Sequence, residues 1–437
     1  MTETANMGAP TTGNGSGRPA FSEALRVFAY IGIMSFGGPA AQIAVMHRML
    51  VDENPWLTEQ QFLNALSFCM LLPGPEAMQL ATFAGWRLHG IRGGLAAGLL
   101  FVLPGAAVML GLGVVYVLYG SQPVVGALFL GIKAAVLIVV IQALLKVSAK
   151  ALDGFAHWMI AGLAFVGIFF LNLPFPLIIA GAALYGFFFD WQGGDQTPGK
   201  VTVAVSPWRT VLTIVAGLVI WLVPVALIGP LTGDPVLSDI GAFFSRLAVV
   251  TFGGAYAVLA YMAQDVVTGF GWLTAAEMMD GLGLAETTPG PLILVTEFVG
   301  FVAAWKAGGI TTGLAGAAIT LWVTFVPCFL WIFAGAPYID YISTRPRLTG
   351  ALRAITAAVV GVILNLSVWF ALHVMFTDVT AERAGPLTLW LPDPGTLDWR
   401  VAVLTVLCGV LLLRVKLGLL KVLAISAASG WALTVLV

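Results

Sequence analysis

The chain has 437 residues, of which 59% are hydrophobic and 9% charged, with a formal net charge of −1. Ordinary soluble domains carry about 25% charged residues, so this composition excludes a soluble protein and points to a polytopic α-helical membrane protein. The near-zero charge argues against bulk affinity for nucleic acid, and Cys69, Cys328 and Cys408, far apart within apolar runs, exclude a disulfide framework or a metal-ligand cluster.

Residues 1–20 are rich in Thr, Gly, Asn and Ser and lack the basic start and apolar core of a signal peptide; they read as a disordered cytoplasmic tail. The next apolar segments are short. Phe21–Met34, Ala40–Val51, Thr58–Leu72 and Glu76–Leu88 hold 14, 12, 15 and 13 residues, against about 20 for a spanning helix. They read as half-crossings that enter and return, reversing at Ser35-Phe36-Gly37-Gly38-Pro39 and at Pro73-Gly74-Pro75. The alternative is four kinked or short tilted helices. Irregular backbone at that depth survives only where protein buries it or water lines it. Full crossings are expected at Gly94–Leu118, Val124–Leu145, Ala156–Leu171 and Pro174–Phe189. A cytoplasmic linker (191–209) then leads to a linking segment (210–236) whose crossing is Thr210–Ile228.

After the linker the chain repeats itself. Thr251-Phe252-Gly253-Gly254 and Pro289-Gly290-Pro291 echo the first motifs at a constant shift, 251 − 35 = 289 − 73 = 216. Over positions 35–75 this register gives 14 identities, Trp56 with Trp272 and Leu66 with Leu282 among them. Further on, Pro104 matches Pro327 and Ile132-Lys133-Ala134-Ala135 matches Ile355-Thr356-Ala357-Ala358, both shifted by 223, so the second copy carries seven extra residues. The copies span 21–190 and 237–437, with further crossings expected at Thr311–Ala334, Ala351–Val374, Trp399–Leu413 and Leu417–Val435. Loop Lys and Arg, which favour the cytoplasm, alternate in opposite phase in the two copies. The predicted fold is therefore an all-α polytopic membrane protein of two inverted-topology repeats with re-entrant short helices. Its N-terminus is expected inside and its C-terminus outside. Duplicated, broken segments of this kind place a transport site between the repeats.

Helices that start after Gly38-Pro39, Pro75, Gly254 and Pro291 aim free N–H groups and positive dipole ends at the breaks. Pro in the first turn fits, because its missing N–H would be unpaired anyway. Ser35, Thr251, Thr287 and Thr288 add hydroxyls. Four such ends converging near the midplane suit an anion; equally, Gly and Pro permit tight packing of the hairpins. Lys133, ten residues into a crossing, is placed to attract an anion or to pair structurally with Glu76, Glu286 or Glu297. Those three carboxyls are the proton-coupling candidates, Glu286 foremost, with a purely structural buried carboxyl as the alternative. Asp265 and Asp280 are expected near the interface, and Arg26, Arg48, Arg87, Arg246 and Arg353 either form an electrostatic funnel or anchor topology. No nucleophile, metal or Walker constellation is present, so an enzyme is not expected.

The motifs Ser35-Phe36-Gly37-Gly38-Pro39, Leu72-Pro73-Gly74-Pro75 and Gly283-Leu284-Ala285-Glu286-Thr287-Thr288-Pro289-Gly290-Pro291 resemble the chromate ion transporter family in its long, two-domain form, from about residue 20 to the end. That resemblance implies chromate efflux across the inner membrane of a bacterium and chromate resistance. It implicates Phe36, Gly37, Gly38, Pro73, Gly74, Pro75, Gly253, Gly254, Pro289, Gly290 and Pro291. One departure is Met70, where the family pattern leads one to expect Gln. The expected partners are chromate or a related oxyanion, the lipid bilayer and optionally a second copy in a homodimer. No cofactor and no nucleic acid are expected. Proton-coupled uptake of sulfate or another tetrahedral oxyanion, and a passive anion channel, are the alternatives.

Overall fold

The computed structural model describes residues 19–190, 207–250, 255–339 and 346–436. Most of the expected tail and of the 191–209 linker, and the tip at Thr251, Gly253 and Gly254, lie outside the described residues. The described chain is almost wholly helical. The first copy runs α1 (Phe21–Met34), α2 (Gly38–His47), α3 (Glu59–Leu71), α4 (Glu76–Tyr119), α5 (Pro123–Ala151), α6 (Phe155–Phe169) and α7 (Phe175–Phe189). After α8 (Pro207–Thr232) come α9 (Pro235–Val250), α10 (Ala255–Gln264), α11 (Ala275–Thr287), α12 (Val295–Gly335) and α13 (Pro346–Met375). Then β1 (Val379–Ala384), β2 (Leu387–Pro392), α14 (Trp399–Gly409) and α15 (Leu419–Leu436) complete the second.

The two copies repeat local chemistry as well as letters. Thr58 caps α3 in a reciprocal box with Gln61, and Thr274 caps α11 with Glu277, the same shift as between the motifs (274 − 58 = 216). A π turn follows α2 (Arg48–Glu53) and another follows α10 (Asp265–Gly269). The long helices α5 and α13 start at positions related by the later shift, 346 − 123 = 223.

Among the described residues, six helical segments are long and apolar enough to cross a membrane: α4, α5, α8, 292–338, α13 and α15. Two of them are not single rods. In α4 the backbone leaves helical geometry at His89 and Gly90 (φ 62°), and in α12 at Gly308 and Gly309 (φ 77°). A Cβ placed on Gly85 would lie 2.6 Å from Ala97 Cβ, and one on Gly316 would lie 2.5 Å from Ala304 Cβ. Each pair is twelve residues apart, about 18 Å along a straight helix. The chain therefore doubles back, and 76–88 and 91–119 form a helical hairpin, as do 295–307 and 310–335. The expected half-crossing Glu76–Leu88 is the short arm of the first.

The segments Ala156–Leu171 and Pro174–Phe189, expected as full crossings, are helices of 15 residues each, about 22 Å and short of the hydrocarbon thickness. Asn172 at φ 49° and Pro174 end and restart the chain there. Trp399–Leu413 likewise holds an α-helix only to Gly409 before a π turn. The segment Asp378–Asp398 carries the antiparallel β1–β2 ribbon. It lies on the α6–α7 connector, where Thr388 N donates to Phe170 O at 2.7 Å and Asn172 Nδ2 to Thr388 Oγ1 at 2.6 Å.

Packing between the copies is crossed. Helix α5 packs on α14 and α15, whereas α13 packs on α6 and α7. The corresponding arms 91–119 and 310–335 run antiparallel: Gly94 faces Phe333, and Gly98, four residues on, faces Phe329, four residues back. The core lies along this seam, where Phe101, Phe298 and Phe301 are fully buried and each removes about 150–250 Å² from solvent.

Candidate functional site

The first break lies between α1 and α2. Ser35 ends α1, and Gly37 (φ 86°) and Gly38 (φ 79°) turn the chain into α2, with Pro39 in its first turn. No side chain caps that turn, so its leading amides are left for another acceptor. Between α3 and α4, Gly74 (φ 118°) is buried and Pro75 precedes Glu76, again with no side-chain cap. Between α11 and α12, Gly290 (φ 85°) reverses the chain and a 3₁₀ turn, Leu292–Leu294, leads into α12.

These breaks meet across the copies. Gly290 N donates to Ser35 O at 2.8 Å, and Gln42 Nε2 donates to Gly290 O at 2.6 Å. A reciprocal relation links the two Pro-Gly-Pro tips to the central seam. Gly290 lies against Gly105, and Gly74 lies against Cys328; 328 − 105 = 223, the shift of the repeat. Such mutual contacts are what a two-fold relation produces. The seam register sets Cys328 beside residue 99, six residues or about 9 Å from Gly105. Both tips thus rest on one pair of helices, within about 10 Å along its axis.

The hydroxyls at the tips are already engaged. Ser35 Oγ donates to Ile31 O at 2.6 Å, Thr287 Oγ1 to Leu284 O at 2.7 Å and Thr288 Oγ1 to Ala285 O at 3.0 Å. Each satisfies its own helix end, which leaves backbone amides as the free donors. Phe36 and Gly38 are half-buried and Gly37 is exposed, so the first tip is open on one side. Pro73 O accepts from Gln79 Nε2 at 2.7 Å, which stiffens the second tip.

Lys133 does not pair with Glu76, Glu286 or Glu297. Its Nζ lies 3.1 Å from Asp280 Oδ1, an ion-pair contact off hydrogen-bond alignment, and Tyr116 Oη donates to Asp280 Oδ2 at 2.8 Å. Asp280, expected near the interface, is buried because α11 turns that face onto α5, where Gly283 meets Ile132. Glu286 accepts from Tyr256 Oη at 2.9 Å and is 6% exposed. Glu297 is buried, with Oε2 lacking any partner among the described residues. Glu76, half-buried, opens α4. Asp265 lines a separate cavity of about 260 Å³ with Asn172, Tyr261, Gln264 and Asn365. Of the five arginines expected as a funnel, Arg48 pairs with Glu53 at 3.3 Å and Arg353 with Asp153 at 2.5 Å. Charges so engaged anchor loops. Gln42, Gln79, Tyr116 and Tyr256 escaped the sequence reading; an amide inside an apolar segment was the available signal for the two glutamines.

A family described as Chromate transporter matches residues 22–187 and 238–431. The chain is 32% identical over 370 residues to a chromate transport protein of Pseudomonas aeruginosa, covering 83% of this chain and 82% of that one. It is 30% identical over 361 residues to a chromate transport protein of Cupriavidus metallidurans, covering 81% and 84%. A shorter relative, the uncharacterized transporter YwrB of Bacillus subtilis, is 32% identical over 163 residues, 36% of this chain but 81% of its own length. A relative that ends after about one copy fits the duplication. No solved structure matches this chain. With the family covering both copies, and the breaks it spans meeting at the seam between them, this multi-pass membrane protein belongs to the chromate transporter family.

Proposed function

We propose that the protein exports chromate, or a closely related oxyanion, across the cytoplasmic membrane of a bacterium and so confers resistance. The observation that carries this reading is the meeting of the first Gly-Gly break with the second Pro-Gly-Pro break, through Gly290, Ser35 and Gln42. It sets uncapped amides of Gly37, Gly38 and the turn after Pro75 near a common seam, and helix ends of this kind favour an anion. The sequence reading adds the tip at Thr251, Gly253 and Gly254. Pro73, Gly74, Pro75, Pro289, Gly290 and Pro291 shape the tips, and the half-buried Phe36 stands beside the first. The antiparallel packing of corresponding arms supports inverted repeats, and with them a cytoplasmic N-terminus and an extracytoplasmic C-terminus.

Export needs no further energy source. A dianion leaving a negative interior gains about 4.6 kcal/mol per 100 mV, twice the value for one charge, which is more than a thousandfold at about 1.4 kcal/mol per decade. Proton-coupled uptake is the second reading, favoured by the unpartnered carboxyl oxygen of Glu297 within the seam. Flux of chromate against sulfate into inverted vesicles, with potential and pH gradient imposed separately, tests both. Chromate flux that follows an inside-positive potential without a pH gradient is the expected result. Flux that ignores potential and requires the pH gradient transfers the conclusion to uptake.

A further inference from the structure

Resting on that reading, we propose that Asp280 is the proton-binding residue of the transport cycle, acting by holding Lys133 away from the oxyanion. The observation behind this is the network of Lys133 on α5, Asp280 on α11 and Tyr116 on α4, with contacts of 3.1 and 2.8 Å.

The pair is not part of the packing that the two copies share. Asp280 corresponds to Asn64 (280 − 216), Lys133 to Thr356 (133 + 223) and Tyr116 to Ile339 (116 + 223). Asn64 on α3 and Thr356 on α13 hold the corresponding helix positions with uncharged residues, and Ile339 falls just past the end of α12. A buried pair that its own twin dispenses with adds little to folding, since desolvation offsets most of the attraction. Intramembrane ionisable groups retained without structural need mark ion pathways.

The geometry also separates the roles of the partners. Lys133 keeps 20% of its side-chain surface open, whereas Asp280 keeps 9%. The ammonium has three donors, and a single carboxylate oxygen approaches it, as an ion pair. An arriving oxyanion therefore meets the ammonium from its open side and competes with Asp280 for it. Along α11, Asp280 stands eight residues before Thr288, about 12 Å from the tip. Three residues before it, nearer the helix start, Glu277 is held by Lys306 at 2.6 Å. Among the described residues, Lys133, Tyr116 and Glu277 are the titratable or charged groups that act on Asp280.

Protonation of Asp280 removes the negative competitor and leaves Tyr116 as its hydrogen-bond partner. Lys133 then turns its full charge to the oxyanion. Loss of the proton returns Lys133 to Asp280 and expels the anion. Proton and oxyanion binding are thus positively linked, one proton accompanies each anion, and the charge moved per turnover drops by one.

The test is chromate binding to the full-length purified protein, by calorimetry between about pH 5 and pH 8. Wild-type affinity should fall as pH rises. Asp280→Asn should bind about tenfold tighter at the alkaline end, a difference of about 1.4 kcal/mol, and keep only the pH dependence that chromate's own protonation imposes. Lys133→Met should lose binding at every pH, and the double variant should match it. An Asp280→Asn protein with the wild-type pH slope, or with weaker binding, overturns the proposal. Should that variant not fold, Tyr116→Phe takes its place, and an unmoved midpoint of the pH profile overturns the proposal equally. Absence of chromate binding by the wild type at all pH values removes the underlying site reading as well, which separates the two failures.

Discussion

Replacing Gly74 and Gly290 by alanine, one at a time, separates backbone strain from crowding at the two Pro-Gly-Pro tips. Both glycines hold positive φ, 118° and 85°, where a side chain costs about 1–3 kcal/mol. At Gly290 the added Cβ would meet Leu294 Cδ1 at 3.3 Å and Phe101 O at 3.4 Å, which small shifts accommodate. At Gly74 it would meet Cys328 Sγ and Gln79 Nε2, each at 2.8 Å, closer than any real contact. Overpacking of this kind adds about 1–3 kcal/mol. Gly290→Ala should therefore cost about 1–3 kcal/mol from strain alone, and Gly74→Ala about 2–6 kcal/mol from both. Cys328→Ala in the Gly74→Ala background removes one of the two obstacles, so it should restore part of the crowding cost but none of the strain. Added to Gly290→Ala it should restore nothing, because Cys328 does not touch that tip. The assay is thermal unfolding in detergent of these four variants, of Cys328→Ala alone and of wild type, with transport normalised to protein in the membrane. Equal losses at the two glycines, or no coupling between positions 74 and 328, would refute the crowding argument and the seam geometry behind it.

Two further outcomes follow from the same geometry. Gly74→Val or Gly290→Val should abolish transport while membrane insertion persists, since a β-branched residue fits positive φ still less well; normal transport by both, measured as oxyanion flux per inserted protein, would show the tips are bystanders. At His47, the last residue of α2, the hydrogen bond to Glu59 at 2.6 Å raises the pKa; burial opposes the rise, and Asp52 at 3.4 Å adds to it. A raised histidine stabilises the fold fully below its unfolded value of about 6.5, and that contribution is lost as pH rises through the folded value. Glu59→Gln should accordingly lower the melting temperature at acid pH and converge on wild type at alkaline pH. A difference that grows with pH would contradict the pairing.

Much of this protein was legible in its letters. Composition alone dictates a membrane helix bundle, because 59% hydrophobic and 9% charged residues cannot clothe a soluble surface. The constant shift of 216 located the breaks at Ser35–Gly38, Pro73–Pro75 and Pro289–Pro291, because only Gly and Pro reverse a buried helix over so short a stretch. Short apolar runs also marked the arm 76–88, although the reversal at Gly90 is invisible without backbone angles. What the letters did not carry was partnership across distance. Lys133 had three plausible carboxylates within apolar sequence, and the structure supplied a fourth, Asp280, because the hand of α11 rather than its composition decides which face meets α5. The hydroxyls of Ser35, Thr287 and Thr288 looked like ligands, yet each is consumed by a carbonyl three or four residues earlier. The joining of Gly290 to Ser35, which stand in different copies, depends on how the two folded copies dock. Helical periodicity is a property of neighbours in sequence, whereas docking is settled by surfaces that exist only once each copy has folded.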